Sequence, residues 1–226
     1  MSLNNKLRFH AMSEATHNPL TRVVKRILDV VQILAIASLI LWPLSVVAMS
    51  IGHYSGSETW GVDIGVFSRF VIDLSAFAGN VAESAGVRDP IISGKAVLNI
   101  DTSSLSALYL FTAITEISGI VGLYILIQLR ALFATLVNGM SFALENSERI
   151  KKIGFVLIIW TLINPLLQYF GGESILTEYS LSVPGIELSP AFDLNGSGIF
   201  IGLVLIVLSG VLNEAARMHE VQRLTI

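Results

Sequence analysis

One carboxylic acid, Glu116, lies near the middle of a long apolar stretch of the chain at 105–129. An ionised carboxylate at the centre of a membrane helix costs at least ~2.5–3.5 kcal/mol, so Glu116 must face other helices or be protonated. Counting depth along other apolar stretches places Ser38 and Thr161 near the same level, and Asn164 further out. Two interpretations remain open. Glu116 is either a neutral, hydrogen-bonded structural acid, which the absence of a second acid nearby favours, or a proton- or ligand-coupled site.

Residues for other kinds of chemistry are missing from the sequence. The chain has no cysteine, and His10, His17, His53 and His219 form no close-spaced ligand pair, so we expect no metal site and no cofactor. It has no nucleophile elbow, no phosphate loop and no zinc-protease motif, so we do not expect an enzyme. A basic stripe with interleaved aromatic residues is also absent, which argues against direct nucleic-acid binding.

Four apolar stretches, at 27–51, 105–129, 153–170 and 199–216, predict an all-α membrane protein with a bundle of four transmembrane helices. A content of 53% hydrophobic and 14% charged residues over 226 positions agrees with this class. We expect a single membrane domain at 27–226 behind an N-terminal tail at 1–26. The first stretch suits an uncleaved anchor better than a signal peptide, because it is too long for a signal core.

Positive charge alternates between the segments that join the apolar stretches. Eleven of the 14 Lys and Arg residues lie in the tail at 1–26, the inner loop at 130–152 and the C-terminal tail. The loops at 52–104 and 171–198 hold the other three and ten acidic residues. By the positive-inside rule, we expect a bacterial inner-membrane protein with both termini in the cytoplasm and these two loops outside.

The two outer loops predict a small extracytoplasmic cap. Apolar residues at three- and four-residue spacing predict an amphipathic helix at 66–81. After it, 96–100 reads as a short strand, and 175–183 and 186–188 read as a β-hairpin around Pro184-Gly185. Pairing of the hairpin with the short strand would make a three-stranded sheet.

Small and polar residues along the spans predict how the helices pack. Pro165 after Asn164 removes a backbone hydrogen bond and predicts a kink in the third helix. Small residues let helices approach closely in lipid, and five glycines fall in the second and fourth spans: Gly119, Gly122, Gly198, Gly202 and Gly210. At the inner rim, Asn213 and Glu214 are predicted to meet basic residues, namely Arg130 or the group Arg149, Lys151 and Lys152.

Two motifs lie on the predicted cytoplasmic side. The first has Gly139 and Phe142, then the pairs Glu145-Asn146, Arg149-Ile150 and Ile153-Gly154; the second runs from Leu212 through Glu220 and Thr225 to the end of the chain. Together they resemble a bacterial family of four-span inner-membrane proteins, the domain of unknown function 2975 family. Genes of this family often lie beside one for a small helix-turn-helix regulator. The resemblance therefore implies a membrane sensor or regulator that contacts such a partner.

The residues that would contact a cytoplasmic partner are taken from these motifs: Glu145, Asn146, Arg149, Arg217 and Glu220. Glu145 and Arg149 are spaced to pair on one helix face, which would leave Asn146 and Lys152 free to bind outward. Alternatively, the two motifs pack against each other at the inner helix ends. A rival function is a small transporter or channel component that uses Glu116. A homo-oligomer is left open, and the lipid bilayer is the one partner that the apolar stretches require.

Overall fold

The computed structural model describes residues 19–55, 62–73, 91–102, 104–138, 144–178 and 186–224. Within these residues there are four helices: α1 (Pro19–Tyr54), α2 (Leu105–Val137), α3 (Leu144–Glu178) and α4 (Gly196–Leu224). Three strands accompany them: β1 (Val62–Asp73), β2 (Ile91–Thr102) and β3 (Ile186–Pro190). Most of the N-terminal tail predicted at 1–26 lies outside the described residues.

All four helices are long and apolar enough to cross a membrane. Their side chains agree with this, because large apolar residues are widely exposed; Ile33 and Leu34 on α1 and Phe200 and Val207 on α4 are each more than 60% exposed. In water such surfaces would be unfavourable, whereas lipid chains cover them at no cost. The chain is therefore a multi-pass membrane protein.

The helices extend beyond the predicted spans. α2 runs to Val137 and α3 begins at Leu144, so much of the predicted inner loop at 130–152 is helical. α3 also continues through Pro165 to Glu178. Once an apolar segment has formed a helix, each added residue gains a backbone hydrogen bond, so polar flanks such as 144–152 extend it.

The predicted helix at 66–81 is wrong over its described part. Residues 66–73 belong to β1, which pairs antiparallel with β2 along all 12 positions, for example Ile64 with Ile100 and Val66 with Leu98. Ile64, Val66 and Ser68 are buried while Gly65 and Arg69 are exposed, the two-residue period of a strand. The apolar residues of this segment fit both the helical period and the strand period. Pairing with β2, which is distant in sequence, favours the strand. Residues 74–81 lie outside the described residues.

The sheet is nevertheless three-stranded, in the order β2-β1-β3. The strand predicted at 96–100 is present and longer, as β2. The predicted hairpin is wrong in its first arm, because 175–178 are the last residues of α3. Its second arm is β3, but the predicted pairing of this arm with the 96–100 strand is wrong, because β3 pairs antiparallel with β1. The Pro184-Gly185 turn lies outside the described residues.

Contacts between residues group the chain into two compact units. Unit 1 comprises Met1–Ile40, Ser118–Thr161 and Asn195–Ile226, and unit 2 comprises Leu41–Ile117 and Leu162–Leu194. Unit 2 holds the sheet and a buried cluster of Ile64, Val66, Ala107 and Ile175, with Phe111 packed against it. This core joins β1 to α2 and α3. The single domain predicted at 27–226 stays a prediction.

In unit 1, α3 and α4 approach each other at glycines. A Cβ atom added to Gly202 would lie 2.7 Å from the carbonyl oxygen of Gly154, and one on Gly198 would lie 2.2 Å from Thr161 Oγ1. Gly119 is equally close to Leu39 on α1, whereas Gly122 and Gly210 have open space. The predicted packing role is confirmed for Gly119, Gly198 and Gly202, and not for the other two.

Candidate functional site

The predicted intramembrane polar residues do not form a hydrogen-bonded group. Ser38 donates to the carbonyl of Ala35, and Thr161 to that of Leu157, so each hydroxyl bonds its own helix. Glu116 is half-buried on α2. Among the described residues no hydrogen bond or ion pair to Glu116 or to the side chain of Asn164 is found. Gln32 of α1 was missed from the sequence, and its buried Oε1 atom likewise lacks a partner in the part of the chain that is described.

Two consecutive residues hold the start of α3 between its neighbours in unit 1. The Thr135 hydroxyl of α2 donates to Asn146 Oδ1 at 2.6 Å, and the Ser147 hydroxyl donates to the Ser209 carbonyl of α4 at 2.8 Å. Asn146 is 4% exposed and Ser147 6%. The prediction that Asn146 is free to bind outward is therefore wrong, because its amide is used between helices.

A groove lies on each side of this segment of α3. The first, the α2–α3 groove, has a volume of about 330 Å³. α2 contributes Ile127, Gln128 and Ala131 to it. α3 contributes four charged side chains with the spacing of one helix face: Glu145, Glu148, Arg149 and Lys152. Two acids and two bases give this groove a mixed, balanced charge.

Within the α2–α3 groove, the predicted ion pair is confirmed. Arg149 Nη2 lies 3.4 Å from Glu145 Oε2, one turn away on α3. The Glu145 side chain is 74% exposed and that of Arg149 24%, so solvent screens the pair and it adds little stability. Lys152 and Glu148 are exposed and take part in no ion pair among the described residues.

The second groove, the α3–α4 groove, has a volume of about 440 Å³. α3 lines it with Leu144, Ser147, Glu148 and Lys151. α4 lines it with residues that again share one helix face: Ile206, Ser209, Gly210, Asn213 and Arg217. Its charged residues are two bases and one acid, so it is net positive. Glu148 borders both grooves.

The predicted inner-rim cluster is only partly found. Arg130 forms an ion pair with Asp29 of α1, not with Glu214. Asn213 does reach the groove that Lys151 lines, but Glu214 is exposed and outside it. The partner of Arg130 is Asp29, an acid inside the first predicted span, to which the charge pattern of the loops does not point. Arg217 is exposed in the α3–α4 groove, whereas the side chain of Glu220 lies outside the described part of the structure.

The grooves themselves were missed from the sequence, although a signal was present. Positions 144, 147, 148 and 151 and positions 145, 148, 149 and 152 each follow the i, i+3, i+4, i+7 spacing of a helix face. These overlapping stripes predict that α3 presents two partly polar faces to two neighbours. From the sequence, only the pair Glu145 and Arg149 was assigned to a shared helix face. Within the described residues, no group of three or more His, Asp or Glu side chains could hold a metal ion.

These features define a helical multi-pass membrane protein with a small antiparallel sheet and two polar grooves beside α3. A family model described as "Protein of unknown function (DUF2975)" matches residues 78–226, about two thirds of the chain. The protein therefore belongs to this family, and the resemblance seen in its motifs is confirmed. No curated protein and no solved structure matches the chain.

The first family motif lies largely on the segment of α3 just described. Asn146 bonds α2, while Ile153 and Gly154 are buried, the latter against α4. These three positions therefore have packing roles in this structure. Glu145 and Arg149, in contrast, border the α2–α3 groove. Gly139 and Phe142 lie outside the described residues.

Proposed function

We propose that the protein is a non-enzymatic regulator or sensor of a bacterial inner membrane, with both termini in the cytoplasm, that binds a cytoplasmic partner protein through the α2–α3 groove. The observation that carries this proposal is the set of four charged side chains that α3 presents beside Gln128. Two acids followed by two bases on one helix face favour a specific protein partner, because complementary charges select and orient it.

The location of the groove supports the proposal further. It is formed by the helix ends around 130–152, the segment that the positive-inside rule assigns to the cytoplasm. The hydrogen bonds of Asn146 and Ser147 fix α3 from both sides, so the charged side chains project from a held backbone. A rigid platform lowers the entropy cost of binding.

The family resemblance suggests the kind of partner. A small helix-turn-helix regulator, held at the membrane or released from it, would connect a membrane protein without enzymatic motifs to a response in the cell. For the rival function, transport through Glu116, no hydrogen bond or ion pair to Glu116 is found among the described residues, and we do not propose it.

The test is a charge swap within the groove. Exchanging the two exposed end charges, Glu145→Lys with Lys152→Glu, keeps the net charge. It reverses the charges at the two ends of the face that a partner would contact. The full-length protein is co-expressed with a helix-turn-helix regulator encoded beside its gene and purified in mild detergent. We expect the swap to reduce co-purification of the regulator about tenfold or more, as for loss of a few complementary charges.

A matched control swaps two exposed charges outside both grooves, Arg26→Glu with Glu214→Lys. This control should retain the partner, and both proteins should insert and elute as the wild type does. Equal loss in both swaps, or no loss in either, would contradict docking at the α2–α3 groove. Aggregation of the groove swap alone would support the alternative that these charges hold the helix ends together.

A further inference from the structure

The carboxyl group of Glu116 has no partner within the described chain. Its side chain is half-buried on α2, a helix long and apolar enough to cross the membrane. The hydroxyl groups of Ser38 and Thr161 bond carbonyl groups of their own helices, whereas no described residue bonds Glu116. Lipid chains offer neither a donor nor an acceptor, so lipid alone leaves this acid unsatisfied at a substantial cost.

The face of α2 that carries Glu116 has the spacing of a coiled-coil seam. α2 is one continuous helix, and positions 113, 116, 120 and 123 alternate steps of three and four residues. We call these four residues the α2 seam: Ala113, Glu116, Ile120 and Leu123. Ala113 is exposed, Ile120 is 60% exposed, and the other two are half-buried. The seam is therefore accessible to another helix.

The contacts of α2 with neighbouring helices lie beside the seam. A Cβ atom added to Gly119 would lie 2.6 Å from Leu39 Cδ2 of α1. One added to Gly171 of α3 would lie 2.9 Å from Ile114 Cδ1 of α2. Neither Gly119 nor Ile114 belongs to the seam. The seam spacing continues to Ile127, where the α2–α3 groove begins.

We propose that a second copy of the chain binds the α2 seam, and that the two Glu116 carboxyl groups hydrogen-bond each other as neutral acids. Two copies inserted in the same direction are related by a two-fold axis along the membrane normal, so each seam residue meets its counterpart at equal depth. A second copy thus brings to Glu116 the group that lipid lacks.

The chemistry of the seam suits this occupant. Each neutral acid donates its O–H to the carbonyl oxygen of the other, which satisfies both. The small Ala113, about one turn away, lets the two helices approach closely. A single polar residue in an otherwise apolar seam also fixes the register of the pair. The dimer goes beyond the proposed partner binding and does not depend on it.

Cysteine cross-linking tests which face of α2 meets the second copy. The chain has no cysteine, so a single-cysteine variant of the full-length protein forms a disulfide only between copies. Native membranes are treated with copper phenanthroline as the oxidant. Ala113→Cys and Ile120→Cys should give cross-linked dimers. The controls are Thr115→Cys and Gly122→Cys, which are also exposed but lie about 200° around the helix from Ala113 and Ile120, respectively. They should cross-link about fivefold less or weaker.

The role of the acid pair is tested by energy transfer between labelled copies in liposomes, over a series of lipid dilutions. The dye is attached to Asn138→Cys, which follows α2 and is exposed. Glu116→Gln should dimerise like the wild type, because an amide both donates and accepts. Glu116→Leu should weaken the dimer about tenfold, since an apolar side chain gains little over lipid contact. Thr115→Leu, the same kind of change on the opposite face, should have no effect.

Four results would overturn the proposal. The first is a protein that stays monomeric at every lipid dilution, and the second is cross-linking of the control positions as strong as that of the seam. The other two are weakening by Glu116→Gln, or by Thr115→Leu, as large as that by Glu116→Leu. Excess detergent separates the copies, so unfolding measured there reports the fold of each chain and not this contact.

Discussion

Units 1 and 2 use their polar residues differently. In unit 2, the Glu178 carboxylate accepts hydrogen bonds from Ser104 at 2.5 Å and Ser106 at 3.2 Å, and Lys95 pairs with Asp193. In unit 1, Asn146 and Ser147 form hydrogen bonds between helices, whereas six charged side chains line open grooves: Glu145, Glu148, Arg149, Lys151, Lys152 and Arg217. The exposed ion pair of unit 2 adds little stability, so its buried apolar cluster is what stabilises that unit, while unit 1 presents charged groups in open grooves.

The buried cluster of unit 2 should be the most sensitive part of the molecule. Ile175 is 0% exposed and packs where β1, α2 and α3 meet. Ile175→Ala should lower the free energy of unfolding by about 2–5 kcal/mol, because it leaves a cavity that the sheet and helices cannot fill. Thermal unfolding in detergent measures the loss.

The control for this prediction lies on the same helix. Ile159 is 53% exposed, so Ile159→Ala removes the same atoms from a lipid-facing position. It should cost much less than the change at 175. Equal losses would mean that the cluster of unit 2 is not a core, and the contrast between the units would fail.

Close packing of α3 and α4 should come next in sensitivity. A Cβ at Gly202 would lie 2.5 Å from Ile158 Cγ1 and 2.7 Å from a backbone oxygen, which cannot move aside easily. Gly202→Val should therefore cost about 1–3 kcal/mol through overpacking. Gly122→Val, where space is open, is the matched change, and its unfolding temperature should stay near that of the wild type. A Gly202→Val variant as stable as Gly122→Val would contradict the glycine contact.

The frame that holds α3 can be tested with a smaller change. Ser147→Ala removes the hydroxyl that bonds the Ser209 carbonyl and should cost about 1 kcal/mol. Ser38→Ala removes an exposed hydroxyl that bonds its own helix and should stay within about 0.5 kcal/mol of the wild type. Chemical unfolding of the two variants side by side gives the difference. If Ser38→Ala lowers the free energy of unfolding as much as Ser147→Ala does, the hydrogen bond between the helices stabilises the protein no more than a bond within one helix.

Glu116 should show the smallest effect on stability. Gln preserves its shape, and no described residue depends on its carboxylate, so Glu116→Gln should change the unfolding temperature little. Glu116→Leu should be no less stable, because an apolar side chain costs less than an acid in the membrane. A marked loss in Glu116→Leu would contradict this, since it would reveal a buried partner. A Gln variant that folds normally but loses a cellular phenotype would revive proton coupling.

The sequence predicted the helices well because each is a long apolar run, a property that any membrane helix must have. It predicted the Glu145–Arg149 pair for a similar reason, since both residues lie on one helix. It failed where the deciding partner is distant. The β1 segment forms a strand because it pairs with β2. The burial of Asn146 depends on its hydrogen bond with Thr135 of another helix. The two grooves likewise depend on how α3 meets its neighbours.

We propose that the grooves of unit 1 open to the cytoplasm, and cysteine labelling tests this orientation most directly. The chain has no cysteine, so each single-cysteine variant carries one reactive thiol. Asn138 follows α2 and Ser93 lies on β2, and both are exposed. With a membrane-impermeant maleimide, Ser93→Cys should label in intact cells and Asn138→Cys only after lysis. Labelling of Asn138→Cys in intact cells would contradict the account.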